Sequence, residues 1–187
     1  MIGVWYGTIL AILATINFFT DGIGILPYVL TVLGGTLFWT LFEYLMHRYV
    51  FHLPNWNEAA KRFQYIAHGI HHDYPRDKER LFMPPLAGLG LVVALYLIFI
   101  LLLQNYTLAF VSGMIVGYLS YSYVHFTIHT ETPPKFLKKV QVHHALHHYK
   151  YPNKAFGVSS PLWDYIFRTM PPKESKSTGT VVGSQNS

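Results

Sequence analysis

The sequence predicts an all-α integral membrane protein, with four transmembrane helices carrying a helical cap on their cytosolic side. Three observations predict it. The 187 residues are 51% hydrophobic and 17% aromatic but only 12% charged, about half the charged share of soluble domains. The uncharged stretches are long: Met1 to Thr20, Gly22 to Phe42 and Leu81 to Val124. All 14 Lys and Arg residues fall between Arg48 and Arg80 or after His129.

A helix that crosses the hydrocarbon needs ~20 apolar residues, which places spans at roughly 2–19, 27–46, 85–103 and 107–124. A secretory signal peptide would open with basic residues and close on a small-residue cleavage site. "MIGVWYGTILAILATINFFTDG" has no basic residue at its start, so the first span is expected to stay as an anchor. Span two is followed by "HLPN", where Pro54 predicts a break. "NWNEAAKRFQYIAH" then restarts as a helix along the membrane interface, with Asn55 and Glu58 in capping-box positions. Pro84 and Pro85 open span three, since proline is tolerated in a helix's first turn. Gln104 and Asn105, in "LLLQNYTLAF", form the polar bend between spans three and four. Trp163 and Asp164 in "SPLWDYIF" read as an interfacial aromatic belt. Residues 1–170 form one membrane domain, and the tail 171–187, "PPKESKSTGTVVGSQNS", has no apolar periodicity and is expected to be disordered.

Excess basic charge near span ends marks the cytosolic side, so both termini, the segment between spans two and three, and everything after span four are expected there. The net charge of +5 follows from that one face. It reads as topology and headgroup attraction, and no nucleic-acid motif accompanies it.

Every histidine lies on the same face. They are His47 and His52 in "HRYVFH", His68, His71 and His72 in "HGIHH", His125 and His129 in "HFTIH", and His143, His144, His147 and His148 in "HHALHH". Residues three and four apart share a helix face. His68, His71 and His72 therefore converge, as do His144, His147 and His148, and His125 pairs with His129. His47 and His52, five apart, would diverge by roughly 140° on a continuous α-helix, so the helix is expected to end or bend between them. His143 breaks the repeated spacing and reads as a packed or hydrogen-bonded side chain.

With no cysteine in the chain, a metal must rest on nitrogen and oxygen. Ten imidazoles exceed the four ligands of a structural zinc site, and the natural count is two metals with about five nitrogens each. Imidazole suits zinc, copper, iron and nickel alike. A hydrolytic zinc pair usually uses bridging or basic carboxylates, and only Glu43 and Asp73 lie near a histidine group. Glu43, costly near a span end unless paired or watered, reads either as a partner of a ligand histidine or as a hydrated side chain. A neutral, all-nitrogen set beneath membrane spans fits better with two irons that activate dioxygen against a C–H bond of a lipid chain.

At these histidines the chain resembles the fatty acid hydroxylase/sterol desaturase superfamily. "HGIHHDYPRDKERLFMPP" (68–85) and "HHALHHYKYPNKAFGVSSPLWDYIFRT" (143–169) are similar to segments of the fatty acid 2-hydroxylases that act on sphingolipid acyl chains, and the resemblance covers about residues 35 to 170. It implies ten metal ligands at His47, His52, His68, His71, His72, His125, His129, His144, His147 and His148. It implies two metal ions per chain, iron for activity with zinc able to occupy the site in purified protein, and O2 as co-substrate. The reaction implied is hydroxylation at C2 of a long acyl chain, free or in a ceramide-like lipid, at the endoplasmic reticulum membrane of a eukaryote or the inner membrane of a bacterium. Many relatives carry a fused cytochrome b5 domain, whereas this sequence starts at a membrane span and holds no dinucleotide fingerprint. Electrons are therefore expected from a separate donor such as cytochrome b5 or a ferredoxin with its reductase. Two alternatives share part of this pattern: a sterol or carotenoid desaturase or hydroxylase, and a histidine-rich membrane metal-binding protein, which would place its ligands within the spans.

Overall fold

The structure, a computed structural model, describes residues 23–52, 57–130 and 132–172, together with 7, 8, 12 and 16. Most of the predicted first span, Pro54, Asn55 and nearly all of the tail lie outside the described residues. Among those described, every regular element is helical.

Helix α1 (Ile25–Met46) runs without a charge until Glu43 and continues into a π-helical turn, His47–Phe51, that ends at His52. The turn is how the chain resolves the five-residue spacing. A π-helix repeats from i to i+5, so His47 and His52 come onto one side with ring centroids 5.0 Å apart. Helix α2 (Glu58–Gln64) begins at Asn57, whose Oδ1 accepts the Ala60 N–H at 2.8 Å. The observed cap is thus Asn57 and not the Asn55 expected from the sequence, because Asn57 directly precedes the first turn and reaches its third N–H. A second π-helical turn, Tyr65–Gly69, carries His68 and leads into α3 (Ile70–Asp73) with His71 and His72.

Helix α4 (Pro85–Leu103) starts with proline at its first position, where no N–H is needed. It ends at Gln104, whose φ of 48° reverses the chain, and Thr107 Oγ1 ties the bend by donating to Gln104 O at 2.8 Å. Helix α5 (Thr107–Thr130) returns. Two stretches, 25–51 and 78–130, are long and apolar enough to cross a membrane, and the second contains the α4–α5 hairpin. Their outward leucines, such as Leu86 at 85% exposure and Leu101 at 81%, would be costly in water and suit lipid.

Glycine sets the central crossing. A Cβ at Gly35 would lie 2.0 Å from Phe110 O and one at Gly113 would lie 2.1 Å from Val32 O, so the backbones of α1 and α5 touch as at small-residue membrane interfaces. Thr36 Oγ1 donates across the crossing to Gly113 O at 3.0 Å. The contacts Gly35 to Gly113 and Trp39 to Gly117 show that α1 and α5 run parallel, which brings His47 and His125 to the same end. There α6 (Lys138–Tyr149) and the short α7 (Leu162–Ile166) complete the fold, and Ile128 of α5 packs with Leu137 and Val158 in a small core.

Candidate metal centre

The imidazoles gather into two clusters. In the first, ligand atoms of His47, His52, His68, His72 and His147 all lie within 4.8 Å of one another. In the second, those of His71, His129, His144 and His148 do the same, and His125 joins through its Nε2, 3.1 Å from His71 Nε2. His143 joins neither; its Nε2–H donates to Asp164 Oδ2 at 3.0 Å.

Neither three-histidine group stays together. His68 and His72 serve the first cluster while His71 crosses to the second, and His144 and His148 serve the second while His147 crosses to the first. Each cluster is therefore two helical pairs plus one histidine lent by the other side. Stacking of His72 on His148, with centroids 4.2 Å apart, joins the two.

These clusters fit metal ions. Nε2 atoms face each other at 2.9 Å for His47 and His68, 2.9 Å for His68 and His72, 3.1 Å for His52 and His147, 2.9 Å for His129 and His144, and 3.0 Å for His144 and His148. Ligands at ~2.1 Å from an ion, a usual metal to imidazole length, sit ~3.0 Å apart along the edge of an octahedron. The side chains are also in the protonation state that binding needs. Burial first, then neighbouring imidazoles, pushes His52 down to about 4 and His71 and His147 down to about 3. Burial takes His72 to about 4 and holds His68, His144 and His148 well below the ordinary histidine range. Ten lone pairs aimed at two points, with no proton to separate them, call for cations.

The residues that orient this set are the part sequence reasoning missed. Asp164, expected at a membrane interface, is fully buried. It accepts the N–H groups of Phe156 and Gly157 at 2.9 and 2.7 Å and the Thr169 hydroxyl at 2.7 Å, besides His143. Burial would raise its carboxyl, but these four donors together hold it below the ordinary value. Trp163 donates its Nε1–H to Thr40 Oγ1 at 2.9 Å. Glu43 is buried and hydrogen-bonds to the loop, with no hydrogen bond to a histidine among the described residues: its Oε1 accepts the N–H groups of Val158 and Ser159 at 2.8 Å each, and its Oε2 the Ser159 hydroxyl. The usable signal was "FGVSSPLWD", a polar, glycine-containing run whose backbone needs acceptors.

Toward the middle of the helices, α1, α4 and α5 line a small, partly open apolar crevice with Trp39, Met83, Leu91, Leu95, Met114 and Tyr118. Tyr118 stacks on Tyr121 and Tyr121 on His125, with centroids 6.2 and 5.2 Å apart, so one ladder of rings joins crevice and second cluster. On the outside of the cap Lys135, Lys138, Lys139 and Lys150 are exposed.

Fold and site together define a helical, histidine-rich protein with two stretches apolar enough to cross a membrane and two histidine clusters able to hold metal ions at one end. The chain belongs to the fatty acid hydroxylase family, whose family model matches residues 32–169. It is 36% identical over 147 residues to a fatty acid 2-hydroxylase of Mus musculus, covering 75% of this chain and 39% of the mouse protein. It is 38% identical over 145 residues to a dihydroceramide fatty acyl 2-hydroxylase of Arabidopsis thaliana, covering 76% of this chain and 61% of that protein. A ceramide very long chain fatty acid hydroxylase of Saccharomyces cerevisiae is 39% identical over 139 residues, or 72% of this chain and 36% of the yeast protein. The chain thus spans from about a third to three fifths of these relatives. A solved structure of full-length scs7p, with only the hydroxylase domain visible, superposes with a TM-score of 0.84 at 31% identity, covering 91% of this chain and 65% of that one.

Proposed function

We propose that this chain is a membrane fatty acid 2-hydroxylase that inserts one atom of O2 at C2 of a long acyl chain, free or carried in a ceramide-like lipid. The other oxygen atom leaves as water, which consumes two electrons and two protons. The observation that carries the proposal is the pair of five-histidine clusters in a chain of the fatty acid hydroxylase family, whose 2-hydroxylase relatives it matches across the clusters.

In this reading His47, His52, His68, His72 and His147 hold one ion and His71, His125, His129, His144 and His148 hold the other. Bound irons supply dioxygen reduction and abstraction of hydrogen from an unactivated C–H bond. The chain's own residues decide which carbon is presented, since placement and not C–H reactivity must set position. The crevice beneath the second cluster offers apolar contact to an acyl tail, and the Tyr118 to His125 ladder walls the path between tail and centre. Four spans with both termini and the cap in the cytosol complete the arrangement, in which the exposed lysines would receive an acidic electron carrier such as cytochrome b5 or a ferredoxin.

The test is lipid analysis by mass spectrometry of cells expressing the protein under 18O2. Acyl chains carrying one heavy oxygen at C2 are expected, and none with His52→Ala or His148→Ala. Hydroxylation at another carbon, or on a sterol, would refute the substrate assignment.

A further inference from the structure

We infer that the two metal sites are unequal: a loop braced by Glu43 and Asp164 holds the first, and the second, without such a brace, releases its ion first. The inference rests on the two-ion reading above. A histidine bound through Nε2 keeps its proton on Nδ1, and the acceptor of that proton fixes the ring. In the first cluster the acceptors come from one segment. His47 Nδ1–H donates to Phe156 O at 2.5 Å and His147 Nδ1–H to Lys154 O at 2.8 Å. The Phe156 ring also covers His47, His52 and His147, with centroids 5.7, 5.7 and 5.6 Å away.

That segment cannot move independently. Asp164 holds the N–H groups of Phe156 and Gly157, and Glu43 those of Val158 and Ser159. Asp164 is itself fixed at its other lone pairs by His143 and by Thr169. Thr169 accepts from Tyr44 Oη–H at 2.9 Å, and Tyr44 accepts from Arg48 at 2.8 Å, so the brace extends back to the helix that carries His47. A Cβ at Gly157 would meet Ser160 O at 2.2 Å, which shows how tightly the loop is folded onto its carboxylates.

The second cluster has nothing comparable among the described residues. Nδ1 of His71, His144 and His148 is buried without a hydrogen-bond partner. His125 Nδ1 reaches Leu81 O and Tyr121 Oη only at 3.4 Å each. Two rings of the first cluster thus share a braced loop, while in the second, among the described residues, only His125 reaches an outer acceptor, and at 3.4 Å. Loss of such outer partners costs roughly 10–100-fold in metal affinity. Glu43 and Asp164 are positioning residues, acting on the first site through the carbonyls of Lys154 and Phe156.

The experiment uses the full chain in detergent, loaded with Zn2+ and mixed with a chromophoric zinc chelator, with bound zinc counted beforehand by elemental analysis. Two release phases of one ion each are expected. His148→Ala should remove the fast phase and His52→Ala the slow one. Asp164→Asn should speed the slow phase by roughly 10–100-fold and leave the fast phase unchanged, and Glu43→Gln should do the same by a separate contact should the first variant fold poorly. Release of both ions in one phase, or equal acceleration of both phases by these variants, overturns the inference. Fewer than two ions in the wild-type protein before chelator is added refutes the two-ion reading instead.

Discussion

The α1–α5 crossing is where one methyl group should be felt most, and Gly113→Ala tests it. The new Cβ would lie 2.1 Å from Val32 O, against the 3.4 Å at which ordinary contact begins, so the helices must part by about 1.3 Å. The obstacle is backbone, and no rotamer relieves it. Overpacking of this kind costs roughly 1–3 kcal/mol, and here the upper end applies, because parting also breaks the Thr36 bond to Gly113 O. Alanine returns up to about 1 kcal/mol of helix propensity, which leaves a net loss of about 2 kcal/mol.

Gly90→Ala, on α4 with nothing within 4 Å of its Cβ, is the matched control and should be neutral or stabilising. In thermal unfolding followed by circular dichroism in detergent, a 2 kcal/mol loss corresponds to roughly 4–8 °C for a chain of this size. Gly35→Ala should cost a similar amount, and the double variant less than the sum, since helices already parted for one methyl accommodate the second. A Gly113→Ala protein as stable as Gly90→Ala would refute the close crossing.

Other outcomes are equally specific. His71→Ala and His147→Ala should each lower bound metal and abolish hydroxylation, whereas His143→Ala should keep two ions while lowering thermal stability through Asp164; a loss of metal as complete as that of His147→Ala would put His143 among the ligands. In the metal-free protein, burial holds His52, His71, His72 and His147 at about 3 to 4, against about 6.5 for the unfolded chain. Below 6.5 the unfolded state binds protons that the folded state does not, so stability should be full above that pH and fall progressively toward pH 4; unfolding titrations that show stability rising with acid would contradict the buried neutral set. Cysteines placed singly at Asn105 and Ser175 should react with an impermeant reagent from opposite sides of the membrane, and labelling from one side would overturn the four-span topology. With a purified carrier and reductase, turnover at limiting carrier should fall as salt rises and fall again with Lys138→Glu and Lys139→Glu; salt-insensitive turnover would move the docking site elsewhere.

That 27–46 and the hairpin form helices long and apolar enough to cross a membrane could be read from the sequence, because apolar length announces it. So could the gathering of ten histidines, since helical spacing brings side chains together whatever surrounds them. The division of labour within "HGIHH" and "HHALHH" was not legible from shared faces. At about 100° per residue, His71 lies about 60° to one side of His68 and His72 about 40° to the other, and His147 and His148 stand the same way to His144. A face broad enough to count as shared is thus too broad to aim at one ion. His47 and His52 diverge on a continuous α-helix, and a π-helical turn removes the divergence. Glu43 and Asp164 are announced by no side-chain pattern, since most of their partners are backbone amides of residues 156–159; the trace they leave is the polar, glycine-containing run there.

The crossed histidines have a consequence for assembly. His71, on α3 with His72 and next to His68, serves the other cluster, and so does His147, on α6 with His144 and His148. Docking α6 to complete the second cluster therefore delivers His147 to the first, and seating α3 for the first delivers His71 to the second. Neither cluster can collect its five imidazoles while the other's helices are undocked. Formation of the two is coupled through the rigid geometry of α3 and α6 even though their outer supports differ. The fold thereby separates two properties: the crossing makes the pair arise together, and the Glu43 and Asp164 brace determines which of them lets go first.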